Sequence, residues 1–259
     1  MKNFQFHRPK SVADAVKVLK GNPAAKALAG GQSLLPMMKL DLTQPGDLVS
    51  LGGLAELRAV RVDGKTLLVG ALASHDEVSR STAIAGLAAL AAGIGDAQVR
   101  NRGTIGGSIA HADPAADYPA ALVALGATVA TDRRRIPADS FFTGLFASAL
   151  EPDELVTAVH FPVPERCGYA KFGHRASKFA VVGVMVAKTA GGVRVAVTGA
   201  GPSVFRVPEM EAALGKRFDP AALDGITVPA GGLQSDSEAS AEFRAHLVGV
   251  MARRAVASA

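Results

Sequence analysis

Thr104-Ile105-Gly106-Gly107-Ser108-Ile109-Ala110-His111-Ala112-Asp113-Pro114-Ala115-Ala116-Asp117 is the stretch on which the reading of this chain turns. It repeats, in chemical kind, an earlier one: Ala29-Gly30-Gly31-Gln32-Ser33-Leu34-Leu35-Pro36. Each is a glycine pair followed by small polar residues and entered from an apolar or β-branched run. Glycine lets the backbone turn through positive φ and brings its N–H groups against a ligand with no Cβ between. Successive N–H groups in such turns form a concavity suited to an anion. Two such stretches predict either a pair of ordinary tight turns or two loops that grip one large ligand by a central diphosphate.

Neither stretch is a Walker loop, which ends in Gly-Lys-Ser/Thr, because Gly31 is followed by Gln32 and Ser33. A third candidate, Val195-Ala196-Val197-Thr198-Gly199-Ala200-Gly201, follows a strand and resembles the opening of a dinucleotide fingerprint. The third glycine of that fingerprint is replaced by Val204, and Pro202 stands where a helix should offer N–H groups to a pyrophosphate. A structural turn is the expectation there, with a nicotinamide site as the alternative.

Composition narrows the class. The chain has 259 residues, of which 49% are hydrophobic and 20% charged, a globular balance. No apolar run approaches a membrane span, and the N-terminus lacks the apolar core of a signal peptide. The single cysteine, Cys167, excludes an internal disulfide and an iron–sulfur cluster ligated by this chain's cysteines alone. A cytoplasmic location is expected. The net charge of +5 invites a nucleic-acid reading, but aromatics are only 5% and there is no Trp for base stacking. Arg133-Arg134-Arg135 reads as a solvated hairpin tip.

Along the chain, Ser11 starts a helix with Val12, Ala15, Val16 and Leu19 on one face, and Gly21 ends it. A strand over 25–28 leads into the first glycine loop and a second lies over 47–51, making an α/β subdomain of residues 1–53. Asp63-Gly64 predicts a hairpin, and a helix over 85–94, a helix near 116–125 and strands over 128–131 and 155–161 complete a middle α+β subdomain, 54–163. His75 and Asp76 look like the start of an exposed helix. The remainder, 164–259, reads as three strands followed by helices. The fold class is α+β, three parts in series, without the strict alternation of a doubly wound sheet.

Ala29–Leu40 (AGGQSLLPMMKL) and Gln98–Asp117 (QVRNRGTIGGSIAHADPAAD) resemble the two FAD signatures of the flavoprotein subunit of molybdenum hydroxylases, nearest the medium subunit of the aerobic carbon monoxide dehydrogenase type. The likeness extends through FQFHRPKSVADAV, FFTGLFASALEPDELVTAVHFP and AVTGAGPSVFRVPEMEAAL, nearly the whole chain. It implies a three-part FAD-binding domain and an electron-transfer role. The implied partners are a molybdenum-cofactor large subunit and a small subunit with two iron–sulfur clusters, in a dimer of heterotrimers. The alternatives are a nicotinamide-dependent dehydrogenase and a cofactor-free scaffold subunit.

The resemblance assigns FAD contacts to Ala29, Gly30, Gly31, Gln32, Ser33 and Leu34, and to Thr104, Ile105, Gly106, Gly107 and Ser108. In the second loop a strand-like Thr104-Ile105 would enter a Gly-Gly turn and present its amides to the diphosphate. Asp117 matches a cofactor-contacting acid or else caps the helix that follows. Val156 and Lys171 match flavin contacts, the first through its backbone and the second through its ammonium. Phe179 either packs in the core or lies against the isoalloxazine. Ile94 matches a cofactor-facing position that core burial also explains. His111 is expected near the flavin or at a subunit surface, and Asp113 in structural hydrogen bonding. No nucleophile, general base or metal site is expected.

Overall fold

The computed structural model describes residues 2–259. The first part runs β1 (Gln5–His7), α1 (Val12–Gly21), β2 (Lys26–Leu28), α2 (Leu34–Lys39) and β3 (Asp47–Ser50). Ser11 caps α1, its side chain accepting from the Asp14 N–H, and Ala15, Val16 and Leu19 are the buried face. The three strands form a parallel sheet in the order β1-β3-β2. Parallel strands need crossovers: α1 supplies one, and the first glycine loop with α2 supplies the other.

The middle part carries β4 (Val60–Asp63), β5 (Thr66–Gly70), α3 (His75–Ser79), α4 (Ala85–Ala92), α5 (Ala97–Arg100), α6 (Ile105–His111), α7 (Tyr118–Ala124), β6 (Thr128–Thr131), β7 (Arg135–Pro137), β8 (Phe142–Gly144), β9 (Ala147–Ser148) and β10 (Val156–Pro162). Five strands pair antiparallel in the order β4-β5-β10-β6-β7, with β8 and β9 as a separate hairpin. Val159 on the central strand faces Val69 on one side and Val129 on the other. The predicted tip at Arg133–Arg135 is a hairpin between β6 and β7, but it is latched rather than simply solvated. Arg133 bonds Asp153, and Arg134 grips the buried Glu154 through Nε at 2.9 Å and Nη2 at 2.7 Å. The local sequence conceals this, because the acidic partners lie some twenty residues downstream.

The last part holds β11 (Arg166–Gly173), β12 (Ala180–Thr189), β13 (Gly192–Thr198), β14 (Phe205–Arg206), α8 (Pro208–Lys216) and α9 (Ala241–Ala257). The three expected strands are joined by a fourth, the two-residue β14, giving an antiparallel sheet β11-β12-β13-β14. A two-residue strand leaves no alternation to read. β12 explains how this sheet is tied to the rest. Met185 and Ala187 point into the middle core, whereas Val182, Val184 and Val186 point into the core built with α8 and α9. With side chains alternating between faces, one strand serves two cores and therefore reads as a continuous apolar run. Between these layers lies α7, with every residue from Tyr118 to Ala124 buried.

Candidate cofactor cleft

The two glycine motifs meet across a cleft of about 670 Å³, within the usual range for cofactor pockets. Its wall includes Ala29 to Leu34, Thr104, Gly106 to Ser108, Asp117, Val156 and Phe179. Ile94, His111 and Asp113 also line it. Of the residues expected at the cofactor, Ile105 and Lys171 alone lie off the wall.

The first motif behaves as its glycines predict. Gly31 has φ +75°, a left-handed conformation, and a Cβ there would come 2.9 Å from the Leu35 side chain. A Cβ on Gly30 would collide with the carbonyl of Arg102, so this glycine lets the two loops touch. The N–H groups of Gly30, Gly31, Gln32, Ser33 and Leu34 have no acceptor among the described residues. Five consecutive half-exposed donors without a protein acceptor, lining a cleft, form a concavity suited to an anion. The Ser33 hydroxyl is also without a partner among the described residues, as is that of Ser108 across the cleft.

The second motif departs from expectation. It is no Gly-Gly turn: Thr104 caps α6, its hydroxyl accepting from the Gly107 N–H at 3.2 Å, and both glycines lie inside that helix. The amides from Ile105 to Ser108 are spent within the protein. Ile105 N–H donates to the Ala73 carbonyl at 3.1 Å, and Gly106 N–H to that of Ala71 at 2.9 Å. Ile105 is buried in the core for the same reason. Gly106 is small because Ala71 is near, and a Cβ would come 2.6 Å from the Ala71 Cβ. Gly107 faces the first loop, with Ala29 Cβ 3.7 Å from where its own Cβ would be. The second motif thus supplies a close-packed floor and the Ser108 hydroxyl.

Asp117 does not cap α7; no side-chain cap bond forms there. Its carboxylate, on a residue 4% exposed, instead accepts from the Tyr169 hydroxyl at 2.5 Å and pairs with the Lys171 ammonium at 2.8 Å. Burial pushes the Asp117 carboxyl above the usual range, and Lys171 and Tyr169 pull against that. Lys171 was expected to touch flavin through its ammonium, but all three donors are occupied. Besides Asp117 they reach the Gly93 and Lys178 carbonyls, each at 2.9 Å. The lysine is a tie beam behind the wall. It anchors the end of α4 and the loop that carries Phe179.

Phe179 stands 43% exposed on the cleft wall, so the core-packing alternative does not hold. Asp113 accepts from the Ala115 N–H at 2.8 Å, a structural bond. His111 stacks on Phe146 with ring centres 5.3 Å apart. Two wall residues were missed from sequence. Glu154 is buried, held by Arg134, Thr131 and the Glu151 N–H, and Arg134 above all lowers its pKa to about 2. His75 is buried rather than exposed, and burial, reinforced by Arg100, lowers its pKa to about 4. The capping box of Ser74 and Glu77 was readable as a helix start, but nothing local tells which way its first side chain turns.

The Gly199 turn is structural. Gly199 N–H donates to the Pro114 carbonyl at 2.8 Å, and its own carbonyl accepts from the buried Arg244 at 3.0 Å. A side chain there would strike the Ala180 and Val181 carbonyls. These contacts give the turn a packing role between β12, β13 and the Pro114 loop.

Comparison with known proteins shows the family. Residues 2–164 match the FAD binding domain in molybdopterin dehydrogenase, and residues 168–259 match the CO dehydrogenase flavoprotein C-terminal domain. The chain belongs to this flavoprotein family. It is 35% identical to the carbon monoxide dehydrogenase medium chain of Hydrogenophaga pseudoflava over 99% of this chain and 96% of that one. It is also 35% identical to the nicotine 6-hydroxylase medium subunit of Paenarthrobacter nicotinovorans, over 99% and 97%. In three dimensions it superposes on a chain of reconstituted CO dehydrogenase from Oligotropha carboxidovorans with a TM-score of 0.90, at 33% identity, covering 100% and 98% of the two chains. The chain is thus the FAD-binding medium subunit of an oxidoreductase of the molybdenum hydroxylase type. The free donors of the first loop, the glycine floor and the two unpaired hydroxyls fit a dinucleotide with a diphosphate at its centre.

Proposed function

We propose that this subunit takes electrons from iron–sulfur clusters on a small partner chain and passes them through FAD to an external acceptor. A large molybdenum-cofactor subunit carries the substrate chemistry, in a cytoplasmic dimer of heterotrimers. When bound, FAD supplies a centre that accepts electrons singly and releases them singly or in pairs. The chain's own residues bind and orient it. The Gly30-to-Leu34 amides and the Ser33 and Ser108 hydroxyls hold the diphosphate. Ala29, Thr104, Gly106 and Gly107 shape the floor. Asp117, Val156 and Phe179 face the rest of the cofactor, with Lys171 fixing Asp117 and the Phe179 loop from behind. In this reading residues 1–53 and 54–163 are the two cofactor-holding lobes, and 164–259 is the lobe that carries Phe179.

The observation that carries the reading is the run of five unpaired backbone donors on the wall of a cleft. A single cysteine supports the assignment of the clusters to another chain. Among the described residues no group of His, Cys, Asp and Glu is placed to hold a metal, and no helix is long and apolar enough to cross a membrane. The test is purification of the tagged subunit from its native host. The expected eluate contains both partner chains, molybdenum, iron and a flavin absorption spectrum. A metal-free monomer that oxidises a substrate by itself would overturn the reading.

A further inference from the structure

His75 opens α3, is 5% exposed and lines the cleft. Its Nδ1 lies 3.3 Å from the hydroxyl of Tyr118, itself fully buried and with no other hydrogen-bond partner among the described residues. A buried hydroxyl proton left without an acceptor is costly. Tyr118 therefore donates and Nδ1 accepts. A neutral imidazole carries a single N–H, and with Nδ1 accepting, that hydrogen belongs on Nε2. Burial keeps the ring neutral, with its pKa lowered to about 4.

The Nε2 edge has no acceptor among the described residues. It lies over Gly103, where a Cβ would come 2.5 Å from Nε2, so the glycine is what leaves room for the ring. Gly30 abuts the same backbone at Arg102 and Gly103, and His75 lines the same cleft as the unpaired amides of the first loop. A tautomer fixed from behind, a donor without an acceptor and a neighbouring row of similar donors have one common target. We propose that the Nε2–H of His75 donates a hydrogen bond to the diphosphate of bound FAD, with Tyr118 as the positioning residue that fixes the tautomer. The proposal rests on the FAD reading of the cleft.

The test uses the whole complex, stripped of FAD and titrated near neutral pH by flavin fluorescence, with ADP and riboflavin as partial probes. His75→Phe keeps the ring volume and removes the donor. It should weaken FAD and ADP by about tenfold or more, as expected for a bond to a charged acceptor, and leave riboflavin unchanged. Tyr118→Phe keeps the packing and frees the tautomer. It should weaken FAD and ADP by a smaller factor and leave riboflavin unchanged, a split that a general loss of stability does not give. Wild-type affinity for FAD and ADP in both variants, or equal losses of ADP and riboflavin, would overturn the proposal and leave the FAD site standing. If the wild-type complex takes up no FAD, the reading of the cleft fails and the proposal with it.

Discussion

Gly31 and Gly106 on the cleft wall and Gly201 in the Gly199 turn stand in different settings, and substitution should separate them. Gly31 needs its positive φ, so Gly31→Ala strains the backbone by about 1–3 kcal/mol and moves the free amides, lowering FAD content more than stability. Gly106 is packed on Ala71. Gly106→Val should therefore destabilise the FAD-free protein itself, with denaturant midpoint as the readout. Gly201 meets only Phe205 and Ser203 at 3.3 Å, and Gly201→Ala should leave flavin content near wild type. Sequence reading grouped the first two as phosphate glycines, because a glycine pair looks the same whether it clears space for a ligand or for a neighbouring strand end. His75 adds a pH effect. Between its ordinary value of 6.5 and its folded value of about 4, the unfolded chain binds a proton that the folded chain refuses. Stability is full above that window and falls as pH drops through it, by about 3 kcal/mol in total. His75→Phe should flatten this part of the stability–pH curve of the FAD-free protein; an unchanged curve would contradict the buried neutral ring.

Elements with a local cause were legible. The Ser11 cap and the apolar face of α1 and the Asp63-Gly64 hairpin follow from neighbouring residues. What escaped reading depends on distant partners. α6 is helical because Thr104 caps it and the Ala71 and Ala73 carbonyls take its first amides. The Arg134–Glu154 latch and the Lys171–Asp117 pair likewise join residues far apart in sequence. Lys171 also makes an element-scale prediction. Lys171→Met leaves the Asp117 carboxylate buried without its cation and frees the end of α4 and the Phe179 loop. Breaking such a pair costs about 3–5 kcal/mol, measurable by urea unfolding. Adding Asp117→Asn should recover part of the loss, since a neutral amide is cheaper to bury than a lone charge. No recovery in the double variant would mean that the carbonyl ties, not the charge, dominate.

At the scale of the molecule, three cores are joined by shared elements rather than by a linker. β12 feeds two of them, and α7 lies wholly buried where the layers meet. That rigidity suits a subunit whose task is to hold a cofactor still between an electron source and an acceptor. The family was legible because both glycine motifs occur in order, and the residues of both line one cleft. The division of labour between them was not, since free and spent amides differ only in the folded chain. The central claim is that this cleft holds FAD by contacts the fold already presents, without a covalent link. The most direct test is acid release of flavin from the complex purified from its host, followed by chromatography against FAD and FMN. The account requires a single FAD per chain, all of it free in solution. Flavin retained on the denatured chain, FMN in place of FAD, or no flavin at all would contradict it.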